Sequence, residues 1–338
     1  MKKNNKTDKN YGIAILRVLL ALMVVIDHFY NIHLKKGFIH ILYYHIPTFF
    51  LISFYFTYNT FSTYNISKIK SRFERLIIPY IGWNLISWIL QNIYFYIFKK
   101  QCHHKLSDLF HTLLNGHILV LALWFQNILI LTTIVFTIIV FSFKNEYLLI
   151  LQILFIISYG LQYSGYNYYF FKSHFSVFYY NTYGRFFSTV PNSISGFYIA
   201  QHKILDKLKK YKIRTLILSF IILVIISKYK FDNSIIMFKY GGLRLNTASI
   251  CIFLLFFYLP FKKDMNRRIK KILDIITNYT AGIYFSHTLI GKGYLMNFLL
   301  GKKIETLFGC IIIYLTSFIL CFLFDKVFNN RKLKHLIK

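Results

Sequence analysis

The chain has 338 residues, 56% of them hydrophobic and 20% aromatic, with a mean hydropathy of +0.49. It is too apolar for a soluble domain of this size, and several runs are long enough to span a bilayer. The net charge of +30 does not indicate a nucleic-acid binder, because the Lys and Arg stand in short clusters between apolar runs, where such clusters set topology and meet anionic headgroups.

Ten candidate spans follow in chain order: 11–33, 41–61, 76–98, 118–142, 147–164, 185–201, 213–228, 247–261, 279–299 and 306–325. With the N-terminus in the cytoplasm, the segments between spans carry 26 Lys and Arg on the inner side against 14 on the outer side. That bias predicts cytoplasmic N- and C-termini. Lys2, Lys3, Lys6 and Lys9 precede the first apolar run as in a signal peptide. No small-residue cleavage site follows, so this run is read as a retained span.

The first span carries Arg17, Asp27 and His28. Ionisable residues inside a span are expensive and read as functional by default. Arg17 and His28 are eleven residues apart, about three turns plus 20°, so they share one helix face at depths roughly 16 Å apart. A snorkelling arginine and a histidine making one interhelical hydrogen bond is the bland alternative. Asp27 lies about 100° around the helix from His28 and faces a different partner.

The second span begins His45-Ile-Pro-Thr-Phe-Phe-Leu-Ile-Ser53-Phe54. Its Phe49 and Phe50 are read as lipid- or core-facing aromatics. The segment 61–75, read as a cytoplasmic loop, holds Lys68, Lys70, Arg72 and Arg75 ahead of Pro79. Residues three apart share a helix face, and two guanidinium forks at Arg72 and Arg75 suit bidentate phosphate binding; a topology anchor is the alternative. Trp124 opens the fourth span, where an aromatic-belt role is expected, and Gln126 and Asn127 follow as polar residues able to line a cavity. The sixth span is short, polar and interrupted by Pro191 and Gly196. The preceding segment, 165–184, is a further candidate helix. The ninth span carries Tyr284 and His287 in Ala-Gly-Ile-Tyr-Phe-Ser-His; His287 orients substrate or His28, or bonds another helix. Cys102, Cys251, Cys310 and Cys321 have no metal-ligand or redox spacing, and Cys102 with His103, His104 and His111 is read as part of an outer loop. No nucleotide-binding, zinc-protease or nucleophile-elbow motif is present.

Arg17 and His28 ten residues between, Phe49-Phe50-x-x-Ser53, Arg72-x-x-Arg75 before Pro79, Leu-Trp124-Phe, and Gly-x-Tyr284-x-x-His287 together resemble the signatures of the integral-membrane acyltransferase family 3. Phe54 stands where that family has glycine. The resemblance implies an all-α, polytopic transmembrane bundle of about ten spans, as one domain over 1–338 without a soluble C-terminal domain. It also implies a place in the cytoplasmic membrane of a bacterium. It further implies O-acyl transfer to a hydroxyl of an extracytoplasmic or lipid-linked glycan, acetyl being the expected group. Acyl-coenzyme A would be the donor substrate, with no permanently bound cofactor and no metal. Arg17, Arg72 and Arg75 would engage the donor and His28 would act as general base. Asp27, Ser53, Trp124, Tyr284 and His287 are candidates for the pocket. A transporter or flippase for cell-surface polysaccharide, or an accessory subunit of its export, is the competing reading, since intramembrane charge and broken helices suit it too.

The charge bias makes one directly testable statement. Single cysteines placed within 205–212 and 263–270 should resist membrane-impermeant thiol reagents in intact cells and react after permeabilisation; labelling in intact cells would reverse the orientation.

Overall fold

The computed structural model describes residues 10–30, 43–99, 105–115, 123–163, 177–228, 242–259, 265–292, 306–327 and 336. Cys102, His103 and His104 lie outside the described residues. Every regular element among the described residues is helical. In chain order they are α1 (Tyr11–Phe29), α2 (His45–Phe61), α3 (Ile66–Lys99), α4 (Leu106–Asn115), α5 (Trp124–Ser142), α6 (Tyr147–Tyr163), α7 (Val177–Gln201), α8 (Ile204–Leu208), α9 (Lys212–Lys228), α10 (Leu243–Tyr258), α11 (Arg267–Asn278), α12 (Thr280–Lys292) and α13 (Leu307–Val327). Four are long and apolar enough to cross a membrane: Tyr11–Phe29, Ile66–Ile93, Trp124–Ser142 and Leu307–Val327. Among the described residues the chain is thus an all-α bundle with helices able to span a membrane.

Three segments read as loops contain helix. Residues 61–75 are a turn only as far as Asn65. Tyr64 takes a left-handed conformation (φ 47°) and Asn65 caps the next helix, its side chain accepting from Lys68 N at 3.2 Å. With no Gly or Pro before Pro79, α3 then runs without a break into the third span. The segment 99–117 holds α4, whose start is tied by Asp108 accepting from Lys105 N at 2.8 Å. The segment 262–271 holds the first half of α11, a basic helix whose Ile269 and Ile272 stay exposed.

α1 is clamped at its start. Asn10 caps it by accepting from Ile13 N and donates to Phe257 O of α10 at 3.1 Å. Gly12 lets the two backbones meet, since a Cβ there would sit 1.8 Å from Phe256 O. The rest of α1 packs against α2, α11, α12 and α13, burying Leu16, Leu20, Ala21, Val24 and Val25.

The largest departure from the sequence reading is α7. The sixth candidate span looked weakest, yet α7 is continuous over Val177–Gln201 and buried on nearly every side from Phe186 to Phe197. Residues 165–176 lie outside the described residues. Its hydroxyls bond back into the helix: Thr189 to Arg185 O, Ser193 to Thr189 O and Ser195 to Pro191 O. Small residues let neighbouring helices approach closely, and in lipid that packing replaces the hydrophobic drive available in water. Its main partner is α2, with Gly196 directly against Leu51 O.

A Cβ on Gly196 would lie 2.1 Å from Leu51 O, a backbone atom that no rotamer change can move. Gly196→Val should therefore destabilise the bundle by about 1–3 kcal/mol, the usual range for overpacking, with a lowered melting temperature in detergent. An unchanged melting temperature would mean that α2 and α7 are not in this contact.

Candidate active site

Each wall of one cavity is a single helical stripe. α2 contributes Phe49, Ile52, Ser53, Phe56, Thr57 and Thr60, which recur at three- and four-residue spacing and so share a face. α3 contributes Arg72, Arg75, Leu76 and Pro79; α5 contributes Phe125, Gln126 and Leu129; α12 contributes Thr280, Ala281, Tyr284 and Phe285; α1 contributes Arg17. The cavity volume is about 380 Å³.

Three cations from two distant stretches thus line one space. Arg17 donates to Thr280 Oγ1 at 3.0 Å, and Arg72 donates to Ser53 Oγ at 2.5 Å. Arg75 is exposed and donates from Nε to Ser71 O at 3.2 Å. Pro79 has no N–H to return to the preceding turn of α3, and next to that turn Gln126 donates to Leu76 O at 2.9 Å. The stripes also order the cavity along its length. Thr60 and Arg75 stand at one end. At the other, Phe125 packs between Phe49 and Tyr284, with ring centroids 5.9 and 5.0 Å apart.

Beyond Tyr284 the aromatic contacts continue. The His287 ring lies 5.9 Å from that of Tyr284 and 5.3 Å from that of His28. His287 Nδ1 is 3.1 Å from Ile283 O; since a carbonyl only accepts, Nδ1 is the donor in this contact. Arg17 near the start of α1 meets Thr280 at the start of α12, and His28 near the end of α1 meets His287 farther along α12, so the two helices run parallel. Thr280, Tyr284 and His287 form one stripe facing the Arg17–His28 face.

The structure therefore brings Arg17, Ser53, Arg72, Arg75 and Tyr284 to one cavity. His28 and His287 form a pair just past its end and do not line it. Asp27 lies outside it too, within electrostatic range of the Tyr43 hydroxyl. Trp124 is neither at an exposed belt nor in the cavity wall. Phe125, Gln126 and Leu129 take the cavity-facing arc of α5, which turns Trp124 away, where it is buried with the Arg185 guanidinium 4.3 Å from its ring centroid. Phe49 is a cavity wall rather than a mere packing residue, whereas Phe50 is fully buried against Phe125. Phe54 points away from the cavity and fills the core against Phe136, ring centroids 4.5 Å apart. The glycine-to-phenylalanine difference therefore changes packing behind α2, not the cavity. Among the described residues no cluster of His, Cys, Asp or Glu could hold a metal.

Sequence reasoning missed Thr280 and Arg185. The spacing of Thr280, Tyr284 and His287 at i, i+4 and i+7 was the available signal for Thr280; Arg185 had none, because its partner is 61 residues away in sequence.

The family described as an acyltransferase domain matches residues 10–326 of the chain. No curated protein and no solved structure matches it. The match covers nearly the whole sequence, and the chain belongs to the integral-membrane acyltransferase family 3. It is a membrane acyltransferase.

Arg17 keeps its charge at any physiological pH, so its partner matters. Thr280→Val, which keeps shape and removes the hydroxyl, should cost about 1–2 kcal/mol, read as a lowered melting temperature, while Thr280→Ser should stay near wild type. Equal stability of the Val and Ser variants would show that the hydroxyl does not hold Arg17.

Proposed function

We propose that this protein moves an acyl group, acetyl by family expectation, from cytoplasmic acyl-coenzyme A to a hydroxyl of an extracytoplasmic or lipid-linked glycan. It does so as a single membrane domain of ten spans in a bacterial cytoplasmic membrane, with both termini inside. The observation that carries this reading is the convergence of Arg17, Arg72 and Arg75 on one elongated cavity that ends beside two histidines. The α2 stripe from Thr60 to Phe49 is roughly 16 Å long, a suitable length for the thin, amide-bearing arm of coenzyme A. Arg75 and Arg72 engage phosphates at the entrance, and the apolar walls take the arm. The thioester then lies near Tyr284, next to His287 and His28.

In this arrangement His28 accepts the proton of the sugar hydroxyl as its oxygen attacks the thioester carbonyl. The C–O bond forms, the C–S bond breaks, and the departing thiolate takes the proton back from the His28 imidazolium. Products are the acylated glycan and free coenzyme A. Arg17, about three turns along the same face, holds the donor arm so that the two halves of the reaction meet. Three cations gathered on one cavity from α1 and α3 suit a bound polyphosphate donor better than the alternating path a flippase needs.

Two measurements test this. Arg72→Ala and Arg75→Ala should each weaken coenzyme A binding by calorimetry with the fold intact, and Arg75→Lys should rescue incompletely because an ammonium lacks the fork; unchanged affinity in the double variant would reduce both to topology anchors. His28→Gln keeps a hydrogen-bonding side chain but cannot accept a proton at neutral pH. It should lower glycan acylation, followed by mass spectrometry, by about 10²–10⁴-fold while coenzyme A still binds; an active variant would remove the general-base role.

A further inference from the structure

Beside the entrance of the first cavity lies a second, of about 400 Å³, lined by Asn59, Thr60, Ser67, Lys68, Ser71 and Arg75. Its chemistry is different. The first cavity is walled mostly by aromatic and aliphatic side chains, whereas every lining residue here is polar or basic. Thr60 and Arg75 line both, so the two cavities adjoin and share one cation. Lys68, Ser71 and Arg75 fall at i, i+3 and i+7 on one face of α3. Ser67 and Lys68 sit in its first turn, the positive end of the helix dipole. Among these lining residues there is no carboxylate to neutralise Lys68 and Arg75. Two cations, three hydroxyls and one carboxamide around a shallow space suit a phosphate monoester, which offers two negative charges and several acceptor oxygens.

We propose that this second cavity reads the ribose 3′-phosphate of the donor, with Lys68 as the residue that specifies it and Arg75 shared with the adjoining diphosphate. The inference rests on the acyl-coenzyme A reading and adds to it a binding subsite and a specificity. A thin arm in the apolar cavity and a charged nucleotide head in the polar one match the two spaces to the two halves of one molecule. The division of labour also gives Lys68, one of the two lysines ahead of the arginine pair, a role of its own. Lys68 lies outside the first cavity and has no role in holding the arm.

The test compares coenzyme A with 3′-dephospho-coenzyme A by calorimetry on the purified full chain in detergent, for wild type, Lys68→Met and Lys68→Arg. Wild type should bind coenzyme A at least about tenfold more tightly, one charge-assisted contact's worth. Lys68→Met should shrink that preference to about twofold without changing the affinity for the dephospho form, and Lys68→Arg should keep most of it. Equal wild-type affinities, or a preference that survives Lys68→Met, overturns the assignment while leaving the donor reading intact. Equal affinities together with loss of bound phosphatidylglycerol from Lys68→Met in native mass spectrometry would assign the cavity to a lipid headgroup and likewise overturn it. Failure of wild type to bind either nucleotide overturns the donor reading itself.

Discussion

A guanidinium held inside an apolar helix bundle is the constraint to which the rest of this architecture answers. Arg17 cannot shed its charge, and in hydrocarbon it has no water to turn to. It must face the interior and find an oxygen there, which it does in Thr280. That single contact draws α12 alongside α1 in parallel, and the pairing of His28 with His287 follows farther along the same two faces. The Asn10–Phe257 clasp and the close approach at Gly12 fix the start of α1 against α10, so Arg17 cannot slide to a membrane surface. Arg72 meets the same constraint from the other wall through Ser53.

Holding these charges requires a scaffold that is polar in unusual places. α7 runs through the centre with serine, threonine, asparagine and proline where a lipid-facing helix would carry leucine. It is tolerated because its hydroxyls bond to their own backbone and its neighbours cover it. Gln162 adds a clasp across three helices, donating to Phe187 O of α7 and accepting from Gly242 N ahead of α10. Ser195 of α7 and Asn246 of α10 close a further polar contact at 3.2 Å. These contacts are distant in sequence, and they tie α6 and α10 to α7, the main partner of α2, the helix that presents more of the cavity wall than any other.

The parts of the site that were legible early share a physical cause. Arg17 and His28 stood out because charge inside an apolar run is costly, and their common face follows from helix periodicity alone. Arg72 and Arg75 were legible as a pair because residues three apart share a helix face, although the loop assigned to them proved to be the first turns of α3, since nothing between Asn65 and Pro79 breaks a helix. Other positions carried no such mark. Phe49 and Phe50 are adjacent and chemically identical, yet one walls the cavity and the other is buried behind it, because 100° of helix rotation separates them. Trp124 was misjudged for the same reason, its neighbours Phe125 and Gln126 taking the inner arc.

Composition and periodicity alone decided that this is an all-helical membrane protein, where its basic clusters fall and which helix faces carry charge, because those properties are local and each residue's cost in hydrocarbon does not depend on its partners. Which stripes would meet was a different matter. Ser53 with Arg72, Arg17 with Thr280, and His28 with His287 are pairs set by how thirteen described helices pack, and packing depends on shape matches such as Gly196 on Leu51 that carry no sequence signal of their own. The weak-looking sixth span became the central helix for that reason: its small polar residues are unfavourable beside lipid and favourable only once the surrounding helices have closed over them.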